Sequence, residues 1–550
     1  MAISDYAHPK KIMIRLLIYS ILTLSLTLIT ESKAIGKENI CSPSKDSDSR
    51  KIVIISDLHM GVGKNPETGE WYKTEDFRWT EEFSLFLEKI SKLGSGKTDL
   101  IINGDLFELL QPLNDNCNHE KNKNFSCTEN EAIERLKPIL KAHDSELKAL
   151  GMFADTGDNR VIILPGNHDA ALQFKAVSNK VLERIPAEDG RVCFASEGYW
   201  RSADGFIYVE HGHQIGEDVN NFKENWPEPF IEKDGVKYLK RTWGESFVQK
   251  FYNKIEIKYP IIDNLSEESL GVKYGIAAEG LENTLDDIDD FLKFSILQVS
   301  WEQFRQSLGP GTEQETYVWD VDAIKRENNK RFLIDSLSPL PENDLIRTMA
   351  KKALNEGTLE LSPRNFSDAE IITLCDQRAA FKELQYRQGN ESTIETCHRK
   401  DKTLGALAQY FLRKDYKVFE EHLKKRYLEL KNSGKENPVF EIFVYGHTHK
   451  AHSYEKFYNK IKLPRYWEPK IFNSGAWQRV ITPEQLEKLS SRKKLKDSEV
   501  LHKLIPEDLY PCYSFVIIDY NDKGRPNAHL KYWSLNNKAT WEAADNCECD

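Results

Sequence analysis

Five short polar clusters in this 550-residue chain carry side chains that could do metal chemistry. They are Asp57-Leu58-His59, Gly104-Asp105, Gly166-Asn167-His168-Asp169, His211-Gly212-His213 and Gly446-His447-Thr448-His449. Six of the fourteen histidines fall within them, so imidazole is gathered at a few points rather than spread along the chain. Carboxylate, imidazole and amide oxygen, without thiolate, suit hard or borderline divalent ions such as Mn, Fe, Zn or Mg. On an extended strand, residues two apart face the same side. Asp57 with His59, and His447 with His449, would then each present two ligands together. One such pair alone is commonly a surface accident or a core histidine; five clusters in order are a stronger signal.

Such clusters need a scaffold, and each follows an apolar run, at 52–55, 100–102, 161–164, 206–209 and 439–445. Short runs rich in Ile and Val and flanked by Gly, Asn and Asp predict buried strands. Between the first two, Phe83, Phe86, Leu87 and Ile90 form one stripe and predict a helix over 80–93. The alternation predicts an α/β protein, in which ligands gather at the carboxyl ends of strands. Between His213 and His447 the text becomes charged and helical in period. One pattern runs over 281–308 and stops at Gly309-Pro310; another runs over 404–430 and stops near Gly434. Residues 214–437 therefore read as a mostly helical insertion or cap beside a core made of 35–213 and 438–540, with 541–550 as a tail. Strand-like text returns at 471–472, 514–520 and 529–533.

Hydrophobic residues at 40% and charged residues at 30%, with a mean hydropathy of −0.58, exclude disorder over the whole length and a polytopic membrane protein. The net charge of −11 gives no global electrostatic reason to bind nucleic acid. At the N-terminus, Lys10, Lys11 and Arg15 precede an uncharged apolar run over 16–29, and Ser32-Lys33-Ala34 offers a cleavage site. Residues 1–34 read as a secretory signal and the protein as exported, periplasmic or secreted; an uncleaved signal would leave the same body tethered. No second run is long enough to span a bilayer. Nine cysteines fit an oxidising compartment, and an odd count leaves at least one unpaired. Cys117 with Cys127 and Cys375 with Cys397 bracket polar loops and are the preferred bridges, while Cys547-Glu548-Cys549 is a bridge, a metal ligand pair or neither. Sequons stand at Asn124, Asn264, Asn365 and Asn390. Trp71, Tyr72, Phe77 and Trp79 form either an aromatic rim or ordinary packed aromatics, and 473–477 is either a loop near the metals or a tight turn.

In the order D-x-H, G-D, G-N-H-D, H-G-H and G-H-x-H, the clusters resemble the calcineurin-like metallophosphoesterase superfamily, over about 51–213 and 438–540. The resemblance implies a four-layer α/β/β/α sandwich of two mixed sheets flanked by helices, with two divalent metal ions at the strand ends. By position, Asp57, His59 and His449 would take the first ion and Asn167, His211 and His447 the second, with Asp105 bridging. The resemblance implies His211 rather than His213, because the family's fourth block has its ligand directly after a strand and before Gly. His213 is left between the surroundings of the metals, the substrate and a solvated loop. The implied activity is hydrolysis of phosphate mono- or diesters by a hydroxide held between the ions. His168 would protonate the leaving group, with Asp169 orienting or charging its ring or else capping the turn. The implied substrate is a phosphorylated small molecule or lipid, with nucleic acid disfavoured by the charge. A non-catalytic binding module on the same fold and a metal hydrolase of amides or anhydrides are the rival readings.

Overall fold

The computed structural model describes residues 50–114, 116–117, 124–216, 220–265, 416–434, 438–454, 467, 469–536 and 540–547. The signal-like segment 1–34, the helical pattern over 281–308, the Cys375 and Cys397 pair and the sequons at Asn365 and Asn390 lie outside them.

Strand alternation decides the layers. In β1 (Lys51–Ile55), Ile52 and Ile54 join one apolar cluster and Val53 and Ile55 another, as a side-chain period of two requires. On one side β1 is followed by parallel β2 (Thr98–Asn103), β4 (Arg160–Leu164) and β5 (Val192–Phe194). On the other it pairs antiparallel with β13 (Cys512–Tyr520), followed by β14 (Pro526–Leu535) and β15 (Trp541–Ala544). A second mixed sheet has β10 (Ile442–Tyr445) at its centre, parallel to β7 (Ile207–Glu210) and β12 (Lys470–Asn473). Antiparallel β6 (Tyr199–Arg201) and β11 (His452–Tyr454) are its edges.

Between the sheets, Ile52, Ile54, Ile101 and Ile162 meet Ile207, Val209, Ile442 and Val444. The outer face of the first sheet buries Val53, Ile55, Leu100 and Ile102 together with Phe83, Phe86, Leu87 and Ile90 of α1 (Thr80–Leu93). Helices α2 (Glu129–Ala142), α3 (Asp144–Ala154) and α4 (Lys175–Leu182) add to the same core. On the outer face of the second sheet, Tyr208, Phe443, Tyr445 and Ile471 pack with Phe419, Leu423 and Leu430 of α5 (Tyr416–Asn432). Helix, sheet, sheet and helix are the four layers the resemblance implies.

Both described ends of the stretch read as a helical insertion depart from that reading. Its start contains β8 (Phe230–Lys233) and β9 (Val236–Lys240), which form a three-stranded sheet with β3 (Phe125–Thr128). Asp234 and Gly235 both have positive φ, the backbone that a tight Asp-Gly hairpin turn needs. Its end is α5, which is the fourth layer itself. There the Glu210 carboxylate at the end of β7 accepts from His422 and, at 2.8 Å, from Arg426 Nε, tying the helix to the strand that leads into His211.

Cys117 and Cys127 form the expected bridge. Cys547 pairs with Cys512 on β13 rather than with its tail neighbour, so the tail is fastened to the first sheet. Asn264 is buried, which closes that sequon to modification in the folded chain. Among the described residues no helix is long and apolar enough to cross a membrane.

A helix that only capped the fold would tolerate truncation of its buried side chain. As part of the fourth layer, fully buried Leu423 is expected to cost about 2–5 kcal/mol when replaced by Ala, read as a shift in the denaturant midpoint. A change below about 0.5 kcal/mol would place α5 outside the cooperative core.

Candidate metal centre

All five polar clusters begin just past the ends of parallel-running strands. Asp57 and His59 follow β1, Asp105 follows β2, Asn167 and His168 follow β4, His211 follows β7, and His447 and His449 follow β10. The strand-alternation argument for the two i, i+2 pairs does not hold. Asp57 (φ 55°), His59 (φ 49°), Asp105 (φ 51°), His447 (φ 70°) and His449 (φ 55°) are all left-handed. The chain turns sharply, which costs on the order of 1 kcal/mol or more per residue and aims the side chains inward. Bonds between the strand-end loops hold the turns. Asp57 N donates to Gly104 O at 3.1 Å, His59 N to Asp105 O at 3.0 Å and Gly446 N to His211 O at 2.8 Å. Gly104 (φ +85°) is required twice over, since a Cβ there would lie 2.3 Å from His211 Nδ1.

Two groups of ligand atoms result. Asp57, His59 and His449 form one and Asp105, His211 and His447 the other, the atoms of each group lying within 4.8 Å of one another. Asn167 joins the second through Oδ1, 3.1 Å from His211 Nε2. Asp105 lies between the groups, with Oδ2 3.0 Å from His211 Nε2 and 3.9 Å from His59 Nε2, while Oδ1 accepts from His168 N at 2.8 Å. Burial would raise both carboxyls. His211, with His449 beside Asp57 and His168 beside Asp105, overcomes it and pulls Asp57 to about 2 and Asp105 well below the usual carboxylate range.

The donor set fits divalent ions. Asp57 Oδ1 is buried without a hydrogen-bond partner, and the Nε2 atoms of His59, His211 and His449 surround it at 3.9, 3.9 and 3.4 Å. His211 Nδ1 is 2.7 Å from Asn103 O. With that proton committed, Nε2 faces only the acceptors of Asp105 and Asn167 and needs a cation or a second proton between them. The His/Asp groups are thus able to hold metal ions. The centre is closed at Asp57 and Asp105 and opens towards His168 and His449, whose side chains are 18% and 31% exposed.

The residue that positions His168 is not the expected one. Both oxygens of Asp169 are taken by backbone, with Gly166 N on Oδ1 at 2.7 Å and Leu106 N on Oδ2 at 2.9 Å. Asp169 therefore clamps the turn and does not charge the ring. The partner is Glu108, whose Oε2 meets both His168 Nδ1 and, at 3.0 Å, His59 Nδ1. Burial disfavours the imidazolium, but Glu108 and then Asp105 raise His168 to about 10. Glu108, three residues after Asp105, had only its Gly-Asp-x-x-Glu spacing as a sequence signal.

His213 is not a solvated loop residue. It is buried, with both ring nitrogens unpartnered, edge-on to Trp226 at 4.4 Å and 5.4 Å from the His211 ring. Of the two readings of the aromatic cluster, Phe77 and Trp79 take the packed one, since both are core residues and Phe77 stacks on Trp477. Trp71 lies under Lys64 and Arg78 instead. Residues 473–477 do reach the centre's support. Ser474 Oγ is 2.8 Å from Ser56 Oγ, beside Asp57, and Asn473 Nδ2 donates to Thr448 Oγ1 between the two histidines.

The sequence model of the calcineurin-like phosphoesterase family matches residues 50–292. With the four-layer sandwich and the strand-end centre, that match supports membership of the calcineurin-like metallophosphoesterase superfamily, whose members are hydrolases acting on phosphoester bonds and usually hold a dinuclear metal centre. His447 and His449 lie beyond the matched residues and reach the centre through β10. No curated protein and no solved structure matches the chain.

A buried ionic clamp fixes the loop after His59. Glu75 accepts from Gly61 N at 3.1 Å, from Gly63 N and from Phe77 N at 3.0 Å. His143 lies between Glu75 (3.4 Å) and Glu146 (3.7 Å). Burial opposes its charge, but Glu75 and Glu146 raise it to about 9. A folded value above the unfolded ~6.5 makes this contribution complete below about pH 6.5 and lost as pH rises through 9. His143→Gln is expected to cost on the order of 3 kcal/mol more at pH 6 than at pH 10, measured by urea unfolding at both. An equal cost at the two pH values would remove the charge from the clamp.

Proposed function

We propose that this chain is an exported phosphoesterase that hydrolyses phosphate mono- or diesters at a dinuclear centre. The observation that carries the reading is Asp105, a buried carboxylate lying between two ligand groups and close to an imidazole of each. Asp57, His59 and His449 would hold one ion and Asn167, His211 and His447 the other, with Asp105 shared. What bound divalent ions supply is a water acidified towards neutral pH and positive charge to offset that of the phosphoryl oxygens.

The chain's own residues do the rest. His211 is fixed through Nδ1 by Asn103 O and His59 through Nδ1 by Glu108, so both present Nε2 to the centre. His168, at the open side and held as the imidazolium by Glu108, brings a proton for the departing alkoxide. Glu108 grips His59 and His168 together and so sets the distance between the centre and the acid. His213, buried against Trp226, backs the His211 side rather than meeting solvent.

Export is supported by the signal-like N-terminus and by the Cys117–Cys127 and Cys512–Cys547 disulfides, since such bridges persist in oxidising compartments. The negative net charge favours phosphorylated small molecules or lipid head groups over nucleic acid.

The test is turnover of chromogenic monoester and diester substrates with Mn, alongside bound-metal analysis. Asp105→Asn is expected to lose metal and about 10²-fold or more in rate. His168→Ala is expected to keep its metal and lose about 10²–10⁴-fold on an alkyl phosphate, but much less on a nitrophenyl ester, whose leaving group needs no proton. A metal-loaded chain that cleaves neither ester would overturn the reading in favour of a binding module.

A further inference from the structure

A second acidic cluster stands beside the histidine groups. Asp76 precedes α1, Glu256 lies on the short helix Asn253–Lys258, and Asp263 lies on the 3₁₀ turn Ile262–Asn264. Each offers one carboxylate oxygen within 4.8 Å of the others. Glu256 is 1% exposed, and its Oε1 is buried with no partner. Gln111, 6% exposed, donates Nε2 to Glu256 Oε2 at 2.5 Å, and its own Oε1, on the same terminal carbon, is buried with no donor. The Tyr252 hydroxyl donates to Asp263. Arg78 acts on Asp76 by charge, but its guanidinium is bonded to Glu507 and to Glu75 O. Burial, and then repulsion from Asp263, hold the Asp76 and Glu256 carboxyls well above the usual range. Like charges so placed need a cation or protons among them.

We propose that Asp76, Glu256 and Asp263, with the Gln111 carbonyl oxygen, form a calcium site separate from the histidine-rich centre. The donors are all oxygen, three carboxylates and one amide, with no imidazole. Calcium takes six to eight such ligands in flexible geometry and completes its shell with water, whereas magnesium demands a tighter octahedron with fewer carboxylates. Zinc, iron and manganese find the imidazoles they accept in the neighbouring groups. Asp76 and Asp263 are half-buried residues, less enclosed than Glu256, so an ion would enter on their side. Asp263 feels the charges of His449 and His59, so calcium would also soften the negative field beside the centre.

The site stands or falls independently of the ester chemistry. Calcium chloride is titrated into the full chain carrying two equivalents of zinc, with binding read by calorimetry and by the thermal midpoint. One calcium per chain, with Kd below about 1 mM, and a raised midpoint are expected. Glu256→Gln and Asp76→Asn are each expected to weaken binding by about tenfold or more while zinc content is unchanged. Asp76 is partly exposed, so its variant folds even if the Glu256 variant does not. Terbium in place of calcium is expected to give emission sensitised by Tyr252 that falls several-fold in Tyr252→Phe. Equal calcium binding by wild type and Asp76→Asn, or terbium emission unchanged in Tyr252→Phe, would overturn the assignment and leave the carboxyls held by protons only.

Discussion

Two carboxylates buried at the ends of adjacent parallel strands set the constraint on which the rest depends. Asp57 and Asp105 are at most 1% exposed, and a carboxylate so removed from water must be compensated or it takes up a proton. The molecule compensates with imidazole. Strands of both sheets end at the same place, so His59 from the first sheet and His211, His447 and His449 from the second converge on the same two oxygen pairs. The sandwich is the means of that convergence, because two sheets joined by Ile52, Ile54, Ile442 and Val444 bring their carboxyl ends level.

Holding the ligands so close has a local cost that the surroundings offset. Five residues of the centre adopt left-handed backbone, yet the Asp57, His59 and Gly446 amides donate to carbonyls of neighbouring strand-end loops, so these loops do not relax alone. Further buried acids do the same work at longer range. Asp169 binds one amide of its own turn and the Leu106 amide of the loop after β2, Glu75 binds those after His59, and Glu210 ties β7 to α5. Each is an acceptor for donors that would otherwise be buried unpaired.

The fold and the centre were largely legible in the sequence, because their signals are local. A β-branched run followed by a polar cluster marks a strand and its functional end, and this held for β1, β2, β4, β7 and β10. What was missed depends on three-dimensional neighbours. Asp169 and Glu108 are both acids close to His168 in the chain or in space, and only the direction of the turn decides that Glu108 meets the ring. Phe77 and Trp79 could be rim or packed aromatics in sequence, and only the packing of Trp477 against α1 decides that they are core. Helix α5 followed a long charged stretch and so read as part of an insertion, although its Phe419, Leu423 and Leu430 match the exposed face of a sheet that the sequence could not display. The hairpin of β8 and β9 was hidden in the same stretch for the same reason.

His59 and His449 approach to 3.1 Å across 390 positions of chain, and β1 is flanked by β13, which comes later still. During synthesis, Asp57, Asp105 and His211 therefore emerge long before the residues that complete their surroundings. Such non-local closure is slow, and until it occurs an ion has only a partial set of donors. A metal held there would be retained tightly only by the finished chain, and its binding would report on completion of the fold.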